Sequence, residues 1–171
     1  MQPYIFTSAR LGFRLWKPSD LPQLAAINAD PEVMRFFPNL QSKVDSAEFM
    51  DRMNALFQKT GYCYWAVDTL EENQFIGFIG LSQPQFKADF LPNVDIGWRL
   101  GKSFWKQGYA SEGAQRYLEF GKQHLGLKKI IAIAPKINKP SIRLMSKIRL
   151  HFRAHLFTQK WTKTPHFNRV F

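Results

Sequence analysis

Residues 120–171 contain no aspartate or glutamate. These 52 residues carry 12 lysines and arginines, whereas residues 1–119 hold all 13 acids and the other 12 basic side chains. The net charge of +11 therefore sits in the last third of the chain. A segment without carboxylates cannot pair its own cations, which must meet anions, solvent or the acidic part of the fold. Cysteine is equally scarce. Cys63 stands alone, which excludes a disulfide framework. No apolar run approaches the ~18 residues needed to cross a bilayer, and the start of the chain lacks a basic region followed by an apolar stretch. The expectation is a cytoplasmic protein with no membrane partner. No repeat, linker or low-complexity segment divides the chain. What is present, 45% hydrophobic residues with 16 Phe and 5 Trp, suffices for the core of a single domain over residues 1–171.

Periodicity then orders the chain. Leu11, Phe13 and Leu15 alternate as a strand, and Leu21 to Ala29 reads as a helix that Ser19 or Asp20 can cap and Asp30-Pro31 ends. Ser42 and Asp45 have capping-box spacing before a helix that runs to about Lys59 and stops at Gly61. Tyr62–Val67 and Gln74–Leu81 form a hairpin around an acidic connection, and Gly77 and Gly80 indicate close backbone approach or a bulge. In Val94–Leu100, Val94, Ile96, Trp98 and Leu100 share one face and Asp95, Gly97 and Arg99 the other. A helix opens at Gly108-Tyr109-Ala110. Lys128–Ala134 is a continuous apolar strand, and a short helix from Lys139 has Asn138 placed to cap it. The order β-α-α-β-β-β-α-β-α indicates an α/β (α+β) domain in which helices flank a mixed sheet.

The strand ending at Leu100, the turn after it and the helix at Gly108 form the most informative constellation. A helix amino end offers unpaired N–H groups and a partial positive charge, and small residues let a ligand approach the backbone. Such a turn holds phosphate or merely reverses the chain, and glycine suits both. Gly97 to Ser103 imitates a nucleotide-triphosphatase loop but has three residues, not four, between its glycines, so that activity is not expected. Cys63, in an apolar strand, reads as a structural thiol. Tyr62, Tyr64 and Trp65 read as sheet packing. His151 and His155 lie four apart with no acid or cysteine after them, so no metal is expected.

Taken together, Asp95-Ile96-Gly97-Trp98-Arg99-Leu100, Trp105-Lys106-Gln107-Gly108-Tyr109-Ala110-Ser111-Glu112 and Asn138-Lys139-Pro140-Ser141 resemble the GNAT superfamily of N-acetyltransferases. The likeness runs from about Ser8 to Ile148 and is closest to the branch containing the ribosomal-protein N-terminal acetyltransferases. The resemblance implies a mostly antiparallel twisted sheet that splays between its fourth and fifth strands. It implies acetyl-CoA as cosubstrate, no metal, and an amine-bearing acceptor that is a protein N-terminus or a small molecule. The assembly would be a monomer or homodimer. Coenzyme contacts would come from Trp98, Arg99 and Leu100 on the strand, from Trp105, Lys106, Gln107, Gly108, Tyr109, Ala110 and Ser111 in the turn, and from Asn138 and Ser141. By this resemblance Asp95 matches the position of a Glu that takes the amine proton, usually through water; the other reading is a solvated acid on a strand. The position of the family's usual tyrosine is Met145 here; Ser141 matches a Ser of the similar branch that would return a proton to the thiolate, and it otherwise reads as a first-turn helix hydroxyl.

After Ile148 the resemblance stops. Arg149 stands where the family places Gly, and residues 149–171 mix basic and aromatic side chains without glycine, acid or clear alternation. One expectation is a segment that does not complete the fold, as a shift of reading frame would produce, leaving a CoA-binding protein of little activity. Another is contact with RNA or the ribosome through cations and rings together.

Overall fold

Apolar alternation and apolar runs build the strands, and their pairing partners decide where the strands stop. The computed structural model describes residues 4–84, 94–151, 154–156 and 168–170. Strands β1 (Phe6–Thr7), β2 (Leu11–Arg14), β3 (Tyr64–Thr69), β4 (Phe75–Ser82), β5 (Val94–Leu100) and β6 (Ile130–Ile131) form one sheet in that order. Neighbours are antiparallel except β5 and β6, which run parallel and share two rungs, Val94 with Ile130 and Asp95 with Ile131. The single strand expected over 128–134 is divided. After Ala132 the chain enters β7 (Ile133–Pro135), which belongs to a second sheet of order β7-β9-β8 with β8 (Ala154–Leu156) and β9 (Asn168–Val170). An unbroken apolar run carries no signal for such a division.

The helices are α1 (Leu21–Ala29), α2 (Pro31–Met34), α3 (Lys43–Thr60), α4 (Tyr109–His124) and α5 (Lys139–Lys147). Ser42 and Asp45 close the expected capping box on α3, and Gly61 ends it at φ 77°. The two faces of the sheet are covered by different helices. Phe78 packs on Phe49 of α3, with ring centroids 5.0 Å apart. Ile79, its neighbour on the opposite face, meets α4 so closely that a Cβ on Gly113 would run into its side chain. Most of residues 149–171, including Arg153, Lys160 and Lys163, lies outside the described residues, and with them the expected RNA contact.

Asp20 is used differently from the expected α1 cap. Its carboxylate accepts from the Lys17 N–H at 2.9 Å, at the entry to a short 3-10 turn, and from two Arg14 nitrogens at 2.7 and 2.9 Å. Asp68 takes the other edge of the guanidinium at 2.6 and 2.7 Å. All three side chains are buried. Burial opposes the charge on Arg14, but the hydrogen bonds and attraction of two acids outweigh it and hold its pKa above the ordinary value. This cluster fixes β2 to β3 and to the start of α1.

Arg14→Ala leaves two carboxylates buried without their cation, and the expected loss is about 3–5 kcal/mol of folding stability. Urea unfolding of the two proteins checks this.

Candidate active site

The division at Ala132 opens the sheet. From Ile96 onward β5 is paired with β4 on one edge and, among the described residues, with no strand on the other. Peptide groups on that edge can bond an extended ligand as an added strand would. A cleft of about 800 Å³ passes through the opening. Ala134, Asn138, Ser141, Met145 and Phe36 are among its lining residues; of those on the sheet, Trp98 and Leu100 share one face of β5, while Asp95 and Arg99 share the other with Tyr64, Phe78 and Phe49.

At one end of the cleft lies the turn into α4. The Trp105 indole N–H donates to the Leu100 carbonyl at 2.9 Å, and the Gly101 N–H to that of Ile76 at 2.9 Å, so the turn is tied to the sheet. Lys106 has φ 61° and Gly108 φ 86°. Left-handed residues on either side of Gln107 turn successive N–H groups inward, the arrangement of an anion nest. Gly108 is the N-cap of α4 and supplies no side chain to its first-turn amides. The nearby acid, Glu112, is turned away. It accepts from the Ser8 hydroxyl at 2.6 Å and from the Arg10 backbone and Nε at 2.8 and 2.7 Å. The helix end therefore keeps its positive character for an anion.

Across the cleft, the Tyr64 hydroxyl donates to Asp95 Oδ2 at 2.8 Å. Two glycines make room for the ring: Tyr64 pairs with Gly80, and Gly80 with Gly97. A Cβ on Gly97 would stand 3.0 Å from the Tyr64 hydroxyl oxygen. Burial pushes the Asp95 carboxyl up to about 6, although hydrogen bonds from Tyr64 and its own backbone pull the other way. Burial and the adjacent Asp95 raise the Tyr64 phenol well above its ordinary value, so it remains a donor.

The sequence-derived residues other than Gln107 line this one cleft, whereas the Gln107 side-chain amide donates to the Ser103 carbonyl at 2.8 Å. Asn138 caps α5, its Oδ1 accepting from the Ser141 N–H at 3.1 Å. Arg99 turns away from the α4 turn: its Nη1 donates to Asn28 Oδ1 at 2.6 Å and Gln41 Oε1 at 3.1 Å. Sequence reading took Tyr64 for sheet packing and did not single out Asn28 or Gln41. The only available signal was that Tyr64 belongs to a strand rich in rings next to a strand with Gly80.

Residues 10–151 match the family model described as an acetyltransferase (GNAT) domain. The chain is 29% identical over 143 residues to the uncharacterized N-acetyltransferase YnaD of Bacillus subtilis (strain 168), covering 83% of this chain and 79% of that protein. Among solved structures, the ribosomal alpha-N-protein acetyltransferase RimL in complex with coenzyme A superposes with a TM-score of 0.79 at 15% identity, over 98% of this chain and 96% of that one. Spermidine N-acetyltransferase from Vibrio cholerae, in complex with CoA and spermine, gives 0.71 at 16% identity over 94% and 92%. At these identities the two structures share the fold.

Because its folded pKa is raised, Asp95 favours folding only where it is protonated; that contribution is present below about pH 4 and lost as pH rises through about 6. Asp95→Asn, which keeps an acceptor for Tyr64, is expected to be more stable than the natural protein at pH 8, with the gap shrinking on acidification toward pH 4. Thermal unfolding across that range reads it.

Proposed function

The chain belongs to the GNAT acetyltransferase family, and we propose that it moves the acetyl group of acetyl-CoA to a primary amine by direct attack in a ternary complex. One observation carries this reading: the sheet parts beside a helix end that no side chain caps. The coenzyme's pyrophosphate would rest on N–H groups between Lys106 and Ser111, with the Lys106 cation assisting. Its peptide-like arm would run along the open edge of β5, where Trp98 and Leu100 face it and Asn138 stands opposite. The thioester supplies the activated acyl carbon.

The protein's own groups handle the protons. An ammonium cannot attack, so Asp95 takes its proton, through a water because Asp is one methylene short of Glu. A pKa near 6 makes it a better base near neutral pH than an ordinary aspartate. The amine lone pair then forms the N–C bond, and a β5 N–H stabilises the oxyanion. When the C–S bond breaks, the thiolate takes a proton relayed by the Ser141 hydroxyl. The acceptor is a protein N-terminus or a small amine, and the cytoplasm is the matching compartment.

A second reading rests on the acid-free part of the chain. Lys122, Lys128, Lys129, Lys136, Lys139, Arg143, Lys147 and Arg149 are all exposed, and none forms an ion pair among the described residues. This surface suits RNA, and binding to it would weaken steeply as salt rises.

Asp95→Asn is expected to lower turnover by roughly 10²-fold or more with little change in CoA affinity, and the natural enzyme's kcat/KM should climb through pH 6 as the carboxylate forms. Gly108→Glu forces a left-handed side chain and a negative charge onto the phosphate site, so calorimetry should find CoA binding weakened at least about tenfold. Unchanged affinity removes the cradle.

A further inference from the structure

Arg99 is a cation in the cleft with neutral neighbours. Its Nη1 is held by the amide oxygens of Asn28 and Gln41. Asn28 is itself fixed, its Nδ2 donating to the Ser46 hydroxyl at 2.9 Å. The guanidinium lies 4.2 Å from the centroid of the Phe37 ring and 5.3 Å from that of Phe78. Its Nε is buried without a hydrogen-bond partner, and no carboxylate lies within ion-pair distance among the described residues. Amides and rings orient a charge but do not neutralise it, and a desolvated cation without a counter-ion is costly. Burial lowers its pKa to about 10, so it is still charged at neutral pH.

The coenzyme's phosphates do not account for this cation. Arg99 shares a face with Asp95 and Gly97, the face that Phe49 and Phe78 cover. The amino end of α4 belongs to the helix packed on the other face. Glu32, at the cleft mouth, is 3.5 Å from Arg35 and 4.0 Å from Lys102. Asp95 is bonded to Tyr64 and lies four residues from Arg99, about 13 Å along the strand. Amine base and unneutralised cation thus stand at two points of one ring-lined channel.

We infer that the acceptor carries a carboxylate several bonds from its amine, and that Arg99 pairs with it while Asp95 receives the amine. This deepens the acetyl-transfer reading and rests on it. A planar carboxylate suits the guanidinium fork, and Phe49, Phe78 and Tyr64 suit an apolar chain between the two ends.

The test compares kcat/KM for ω-amino carboxylates of three to eight carbons with that for n-alkylamines of equal length. The natural enzyme is expected to prefer the carboxylate at one length by at least about tenfold, the scale of a charge-assisted bond. Arg99→Met should bring that ratio to near one, and Arg99→Lys should restore part of it. A ratio near one in the natural enzyme, or one that survives Arg99→Met, overturns the inference. If Arg99→Met does not fold, the natural enzyme's ratio decides alone. If no amine is acetylated, the transfer reading fails by itself. Calorimetry on the CoA-saturated protein then decides: 6-aminohexanoate binding at least about tenfold tighter than hexylamine supports the Arg99 site, and equal or absent binding rejects it.

Discussion

Two rungs of parallel pairing between β5 and β6 hold the sheet together at Asp95, and the site depends on their ending there. Beyond them the chain turns at Ala132 to pair Ile133 with Val170 in the other sheet. Backbone groups on the β5 edge beyond Asp95 are thereby left without a strand partner among the described residues. The opening is held by its surroundings rather than by the strands. Trp105 and Gly101 tie the following turn to Leu100 and Ile76, and Asn138 fixes the start of α5. Glu112, the acid that would otherwise neutralise the α4 amino end, is engaged by Ser8 and Arg10.

The cleft separates two kinds of electrostatics. On the α4 side, positive potential comes from backbone amides, which cannot titrate and need no counter-ion. On the other side, Asp95 and Arg99 are side-chain charges whose ionisation burial opposes. Asp95 therefore weakens the folded state where it is ionised, which is also where the proposed transfer uses it as a base. The Arg14–Asp20–Asp68 cluster, also buried, is fully paired and holds only structure.

Much of this was legible in the chain itself. Alternation placed Val94–Leu100 with its true ends, Ser42 and Asp45 announced the α3 cap, and Gly108 marked the start of α4. Local rules sufficed because each feature is made by residues close in sequence. The division at Ala132 was illegible, since Ile130 to Ala134 reads the same as one strand or two. Asp20 looked like a helix cap because its pairing with Arg14 follows no helix or strand spacing, and Asp68, which completes the cluster, lies 54 residues beyond Arg14. Tyr64 was read as packing for the same reason: its bond to Asp95 needs β3, β4 and β5 in register across Gly80 and Gly97.

Hydrogen exchange, followed amide by amide with and without CoA, tests the central claim most directly. The account predicts slowed exchange along the open edge of Ile96–Leu100 and in Lys106–Ser111, with little change in β2 and β3. Protection confined to other segments, or none at saturating CoA, would contradict a coenzyme lying where the strands separate.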